Sequence, residues 1–157
     1  MAANPFMERA VSLATENVRL GRGGPFGAVI VYQGEVIADG YNLVTSTNDP
    51  TAHAEVVAIR RACAKLGVFH LPEGTEIYAS CEPCPMCLAA IYWAHVDKVF
   101  YGCTHKDAAE IGFDDSLIYQ EMRKRIEERQ VPMLPLDREY ALRAFEAWRA
   151  KVDKVEY

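Results

Sequence analysis

The sequence predicts an α/β fold, in which a mixed sheet of five strands carries helices on both faces. Segments with apolar residues spaced 3.6 positions apart alternate with short β-branched apolar runs along the chain. Helices separate the later strands, which favours parallel pairing within a partly antiparallel sheet. The length of 157 residues suits a single domain, residues 1–157, whose core needs no disulfide bonds.

The N-terminal elements are predicted from capping residues and turn residues. A helix is expected to begin at Pro5, because proline is favoured at the first helical position, and to end before the loop at 21–25. The apolar run at 28–32 and the segment at 35–44 are predicted strands. Gln33 and Gly34 between them are typical of a hairpin turn.

The remaining elements follow from the same signals. Thr51 can cap a helix from about Ala52 to Leu66, which Gly67 would end. In chain order, the later elements are a strand at 76–80, a helix at 84–93, a strand at 98–102, a helix at about 115–129, a short edge strand at 131–136 and a helix at 138–152.

Charge and composition exclude several classes of protein. The 17 basic and 22 acidic residues give a net charge of −5, which argues against a general nucleic-acid binder. No stretch approaches the ~18 apolar residues that a membrane span needs. The N-terminal residues do not resemble a signal peptide. We therefore expect a soluble cytoplasmic protein, in which clustered cysteines indicate metal binding or catalysis rather than disulfides.

Two separated motifs predict a metal site. His53 lies at the start of the second predicted helix, and Cys84 and Cys87 lie at the start of the third. Thiolates at a helix N-terminus are favoured by the helix dipole. One imidazole and two thiolates suit Zn²⁺, and three protein ligands leave a fourth position for water, as in catalytic zinc sites.

Glu55 is the candidate catalytic residue beside this site. Side chains in the first turn of a helix lean back over its end, so His53 and Glu55 can both reach a site above it. A carboxylate there can take a proton from the activated water and pass protons to a substrate. The pattern H-x-E followed by P-C-x-x-C is the signature of zinc nucleobase deaminases.

The cysteine spacing is also compatible with two other kinds of metal site. The spacing of Cys81, Cys84 and Cys87 could begin an iron–sulfur motif, but the expected fourth cysteine is replaced by Ile91. A closed structural zinc site could use Cys81 as its fourth ligand, which would leave Glu55 without a role. The two other cysteines, Cys63 and Cys103, are most simply core residues.

The chain resembles the cytidine-deaminase superfamily, and within it the short bacterial guanine deaminases. The resemblance covers about residue 5 to 157. The matching stretches are GGPFGAVIV (23–31), NDPTAHAEVVAIRRAC (48–63), YASCEPCPMCLAAIYWA (78–94), GFDDS (112–116), FEAWR (145–149) and the closing Glu156-Tyr157. The zinc motif is shared by the whole superfamily, whereas GFDDS and the aromatic C-terminus are more discriminating.

The resemblance implies a three-layer α/β/α sandwich that hydrolyses guanine to xanthine and ammonia with one Zn²⁺ per chain. It also implies a homodimer that exchanges its C-terminal segment, about residues 131–157. His53, Cys84 and Cys87 would hold the zinc and Glu55 would shuttle protons. The residues implied to bind the purine base are Asn42, Asp114, Phe26, Trp93 and Tyr157.

The substrate roles have structural alternatives. Asn42 could be a turn residue, Asp114 a helix cap, Trp93 a core residue, and Phe26 a plug at the sheet edge. Other substrates are also open, namely guanosine, cytosine or cytidine, another amino-heterocycle or a tRNA adenosine. The net negative charge of the chain favours a small base over tRNA as the substrate. A structural zinc module without chemistry, which would bind a partner, is the remaining alternative.

Overall fold

A mixed four-stranded sheet forms the centre of the computed structural model, which describes residues 2–157. The strand order is β2-β1-β3-β4, with antiparallel pairing of β1 to β2 and to β3 and parallel pairing of β3 to β4. The strands are β1 (Gly27–Tyr32), β2 (Glu35–Tyr41), β3 (Glu76–Cys81) and β4 (Lys98–Cys103). The predicted α/β class and mixed sheet are confirmed.

Seven α-helices and one 3₁₀ turn accompany these strands within the described residues. The helices are α1 (Pro5–Arg19), α2 (Val44–Thr47), α3 (Ala54–Leu66), α4 (Pro85–Trp93), α5 (His105–Glu110), α6 (Ser116–Arg123) and α7 (Arg138–Ala150), and the 3₁₀ turn is Ile126–Glu128. The sequence did not predict the short helices α2 and α5. Asn4 caps α1 as its position suggests, because its Oδ1 accepts from the amides of Phe6 and Met7 at 2.9 and 3.2 Å.

The core divides into two clusters because successive residues of β1 face opposite sides of the sheet. Val29 and Val31 pack with α1 on one face. Ala28 and Ile30 pack with α3 and α4 on the other. The expected placement of helices on both faces is therefore confirmed, and the helices that carry the candidate metal ligands share one face.

Two glycines let helices approach the sheet backbone. A Cβ at Gly27 would lie 3.0 Å from the amide of Ala14 in α1 and closer still to the carbonyl of Ala10. A Cβ at Gly40 would lie 2.6 Å from the amide of Ala58 in α3. These distances are shorter than normal van der Waals separations, so a side chain at either position would push a helix away from the sheet.

The predicted fifth strand at 131–136 is wrong, since the described sheet has four strands. The segment is irregular and exposed. Its Pro132 and Pro135 have no amide hydrogen to donate, and an edge strand needs a neighbour whose free edge it can pair with.

The helix predicted at about 115–129 is also shorter than expected. It ends at Arg123, and a separate 3₁₀ turn follows. At the end of α6, Glu121 pairs with Lys124, at 2.6 Å between Oε1 and Nζ. Glu121 Oε2 also accepts from the amide of Gln130 at 2.7 Å, which folds the chain back after α6.

The chain forms two compact units, which meet in sequence between Asp115 and Ser116. The first contains the sheet and α1 to α5. The second contains α6, the 3₁₀ turn and α7, and none of its residues is buried. Among residues 2–157 there is no helix with the length and apolar character to cross a membrane.

Candidate metal centre

The candidate metal ligands lie at the starts of two neighbouring helices. His53 is the residue before α3 and Cys84 the residue before α4. Residues in this position often use their side chains to cap the helix, yet neither side chain makes a capping hydrogen bond. Both side chains are therefore available to each other, and Cys87 joins them from the first turn of α4.

The three side chains have the spacing of a tetrahedral metal site. Nδ1 of His53 lies 3.5 Å from Sγ of Cys84 and 3.5 Å from Sγ of Cys87. Zinc–nitrogen and zinc–sulfur bonds of about 2.05 and 2.3 Å at a tetrahedral angle separate the two donors by about 3.6 Å. The three donor atoms lie within 4.8 Å of one another. The donor set and its spacing therefore fit Zn²⁺.

The cysteine pair favours one thiolate even before a metal binds. The Cys87 thiol hydrogen-bonds to Cys84, and with His53 it lowers the pKa of Cys84 to about 4. The same hydrogen bond and burial raise the pKa of Cys87. The hydrogen bond with Cys84 raises the pKa of His53. A divalent cation between these groups would favour both thiolates and a neutral imidazole.

Glu55 points into the same site from the first turn of α3. It is buried, and its Oε2 accepts from Sγ of Cys87 at 3.4 Å. Burial raises the pKa of the Glu55 carboxyl. A carboxyl with a raised pKa beside a metal position can both accept and return a proton.

Asn42 and Phe26 meet at the loop between α1 and β1. Oδ1 of the buried Asn42 accepts from the amides of Gly24 and Val44 at 3.3 and 3.2 Å. These donors fix the amide orientation, so that Nδ2 is the group left to donate to a ligand. The Phe26 ring packs edge-on against Phe113, with 4.9 Å between ring centroids.

The other predicted substrate residues lie in different places. Asp114 is exposed in the loop after α5. Trp93 ends α4, about 13 Å along the helix axis from Cys84, and is 65% exposed, so it is not a core residue of the described chain. Tyr157 belongs to the second compact unit and is exposed.

The remaining cysteines correct parts of the sequence interpretation. Cys81 is buried and its Sγ lies 3.6 Å from the carbonyl oxygen of Thr104, outside the three-residue donor set. Cys63 is half-buried and packs against the core, as predicted. Cys103 is exposed, so its predicted core position is wrong. It lies at the last position of β4, the outer strand of the sheet.

Sequence reasoning missed Asp115. Its Oδ1 is buried and makes no hydrogen bond within residues 2–157. Burial raises the pKa of Asp115, and the negative charges of Cys84 and Glu82 raise it further. Its only sequence signal is its place in the GFDDS stretch, in which the resemblance assigns the substrate role to the adjacent Asp114.

Comparison with known proteins gives the family. The family model of the cytidine and deoxycytidylate deaminase zinc-binding region matches residues 2–103. The chain is 57% identical to the guanine deaminase of Bacillus subtilis over 97% of both chains. It is 44% identical to a tRNA-specific adenosine deaminase of Aquifex aeolicus over 52% of this chain and 54% of that protein.

Solved structures of related proteins support the same family assignment. The X-ray structure of guanine deaminase from Bacillus subtilis superimposes with a TM-score of 0.95 at 55% identity, covering 100% of this chain and 99% of that one. A guanine deaminase from Nitrosomonas europaea gives a TM-score of 0.67 at 30% identity, covering 92% of this chain and 74% of that one. The chain therefore belongs to the zinc-binding cytidine and deoxycytidylate deaminase family.

Proposed function

We propose that this protein is a zinc-dependent hydrolase that deaminates guanine, as the free base, to xanthine and ammonia. The observation that carries the proposal is the 57% identity to a guanine deaminase over 97% of both chains. The metal centre supports it, because its three ligands and adjacent buried carboxylate are what hydrolytic deamination requires.

His53, Cys84 and Cys87 would hold the zinc ion. When bound, zinc supplies Lewis-acid activation of a water molecule. Glu55 would take a proton from that water, since its carboxylate already lies 3.4 Å from one of the ligand sulfurs. It would then deliver protons to a purine ring nitrogen and to the departing ammonia. Burial raises the pKa of this carboxyl, which suits a group that must gain and lose a proton during the reaction.

The purine base would form hydrogen bonds with Asn42 and Asp114. Phe26 and Trp93 would pack around its ring, and Tyr157 would close the pocket. Asn42 is the best supported of these, because its orientation leaves Nδ2 to donate to a ring nitrogen or a carbonyl oxygen. The Phe26 ring offers an apolar surface for a flat base. Substrate deaminated at C2 would leave as xanthine.

The protein would act as a cytoplasmic homodimer that exchanges C-terminal segments, about residues 131–157. The apolar residues of the second unit support a partner, since Phe145 is 68% and Trp148 42% exposed. The free cysteines are consistent with a reducing compartment. The net charge of −5 supports a small neutral substrate over a nucleic acid.

Ammonia release from guanine, guanosine, adenine, cytosine and a tRNA substrate tests the proposed function. We expect turnover of guanine far above the others, and no turnover of guanine would overturn the proposal. Glu55→Gln should keep about one zinc per chain and lose roughly 10²- to 10⁴-fold in kcat, the range for a positioned acid–base group. Glu73→Gln, at an exposed loop position, is the matched control.

A further inference from the structure

Asp115 carries a feature that the proposed chemistry leaves unused. Its Oδ1 is buried, and none of residues 2–157 donates a hydrogen bond to it. Burying a carboxylate oxygen without a donor is unfavourable, and such groups in folded proteins usually have a functional reason. The oxygen therefore needs a donor from elsewhere.

The segment that carries Asp115 is held against the residues proposed to bind the base. The Phe113 ring packs edge-on against Phe26, and the Phe113 amide donates to the carbonyl of Ala108 at 2.9 Å. The Phe26 carbonyl in turn accepts from the Asn42 amide at 3.1 Å. Asp115 is thus two residues from a ring that packs on the loop tied to Asn42.

The surroundings of Asp115 add to the cost of leaving this oxygen without a donor. Burial raises the pKa of the Asp115 carboxyl, and negative charge, including that of Glu82, raises it further. A hydrogen-bond donor on Oδ1 would favour the ionised carboxylate and offset this effect.

We propose that Asp115 is a further substrate-binding residue, whose Oδ1 accepts a hydrogen bond from an N–H group of the purine base. An ionised carboxylate only accepts, whereas Nδ2 of Asn42 only donates. Together they would read one donor and one acceptor on the base. This inference rests on the proposed function, and it adds a determinant of specificity among purines.

Guanine offers N–H groups on N1, on the 2-amino group and on the imidazole ring. A site built to accept from one of them rejects an analogue that lacks it, because a buried acceptor is then left unpaired. Three competitive ligands each lack one of these donors, namely 1-methylguanine, hypoxanthine and 9-methylguanine. They identify which N–H group Asp115 contacts.

The test compares wild type with Asp115→Ala and Asp115→Asn. For guanine, Asp115→Ala should lower kcat/KM by about 10- to 150-fold, mainly through KM, as expected for a hydrogen bond to a charged group. Asp115→Asn should recover part of this loss, because its amide oxygen still accepts and Asn replaces Asp well before a helix. Glu110→Gln, an exposed carboxylate on α5, should behave as wild type.

Inhibition constants complete the test. The two analogues that keep the N–H group contacted by Asp115 should bind Asp115→Ala about 10- to 150-fold more weakly than wild type. The analogue that lacks this group should bind wild type and Asp115→Ala equally. The inference would be overturned if Asp115→Ala had unchanged guanine kinetics, or if all three analogues bound it equally more weakly. It would also be overturned if both Asp115→Ala and Asp115→Asn lost zinc. A wild-type protein without guanine turnover would overturn the proposed function and this inference together.

Discussion

The five cysteines lie in chemically different environments, although the sequence presents them in one short cluster and two single positions. Cys84 and Cys87 face His53 at the metal centre. Cys81 and Cys103 are partners on the parallel strands β3 and β4, yet one is buried and the other exposed. Burial, as the largest cause, together with the nearby Cys103 raises the pKa of Cys81 to about 11. Cys81 and Cys103 should therefore react at different rates with thiol reagents.

We predict that iodoacetamide at pH 8 modifies Cys103 well before Cys81 in the zinc-loaded protein. A thiol with a pKa of about 11 is ionised in only about one molecule per thousand at pH 8, and Cys81 is also shielded. Raising the pH to 10 should speed the reaction of Cys81. Peptide mass mapping over time measures both rates.

The matched control for this experiment is Cys103→Ser, which should remove the fast phase and leave the slow one. Equal labelling rates of Cys81 and Cys103 at pH 8 would contradict the prediction. The result also checks the corrected position of Cys103, which sequence patterning had placed in the core.

Individual metal ligands are easier to predict from sequence than individual ligand-binding residues. His53, Cys84 and Cys87 each lie at a helix start, so local signals predict both the helix and the direction of the side chain. The burial of Asp115 depends on residues far away in the chain, and nothing in its neighbourhood distinguishes it from Asp114.

At the scale of elements, the contact between α3 and β2 determines where the catalytic residues stand. Gly40 of β2 lies directly beneath Ala54 and Ala58, in the first turns of α3. The same turns carry Glu55, and His53 immediately precedes them. A small side chain at position 40 should therefore displace the residues of the metal centre.

Gly40→Ala is predicted to destabilise the protein by about 1–3 kcal/mol, the usual effect of overpacking a tight contact. It should also weaken zinc binding, because α3 must move off the sheet to make room for the methyl group. Urea denaturation and zinc content measure the two effects. Gly102→Ala on β4 is the comparison, since the atoms nearest to a Cβ there belong to Ser80, whose carbonyl oxygen would lie at 2.9 Å, and to Met7.

A Gly40→Ala protein with wild-type stability and zinc content would show that α3 can shift without consequence. Loss of zinc in Gly102→Ala as well would indicate a general effect of tighter packing, and the proposed link between Gly40 and α3 would then be wrong.

Several element boundaries were predicted well where a capping or turn residue marks them. Pro5 begins α1 and Gly67 ends α3 as expected, and Gln33 and Gly34 both have positive φ, at 51° and 79°. The predicted cap at Thr51 is wrong, because α3 begins at Ala54 directly after His53. The apolar run at 131–136 misled the prediction because proline is tolerated in edge strands, so its two prolines did not exclude one. Whether an edge strand forms depends on a partner, which no local pattern supplies.

At the scale of the whole molecule, metal binding should contribute measurably to stability. The three ligands come from two helices that are brought together only by the folded sheet. A metal that binds the folded chain and not the unfolded one stabilises it by about 3 kcal/mol when free zinc exceeds the Kd a hundredfold. The class of the fold and its mixed sheet follow from the sequence, but this long-range coupling does not.

We therefore predict that a chelator lowers the melting temperature by about 5–10 °C, as expected for that free energy in a domain of this size. Scanning calorimetry with and without chelator measures the shift, and added zinc should restore it. A melting temperature that does not change when zinc is removed would contradict the assignment of the ligands. Glu55→Gln should show the same shift as wild type, because Glu55 is not a ligand in this assignment.

The separation of the ligands along the chain gives the metal a second consequence. His53 and Cys84 are 31 residues apart, and the segment between them contains all of α3 and all of the central strand β3. An ion held by both residues closes this segment into a loop, much as a disulfide would. Because the ion leaves when the chain unfolds, this link acts in the folded chain, where it holds the starts of α3 and α4 together. Unlike a disulfide, such a cross-link is not broken by thiol reduction. The ion that supports the chemistry would therefore also hold these two parts of the chain together under reducing conditions.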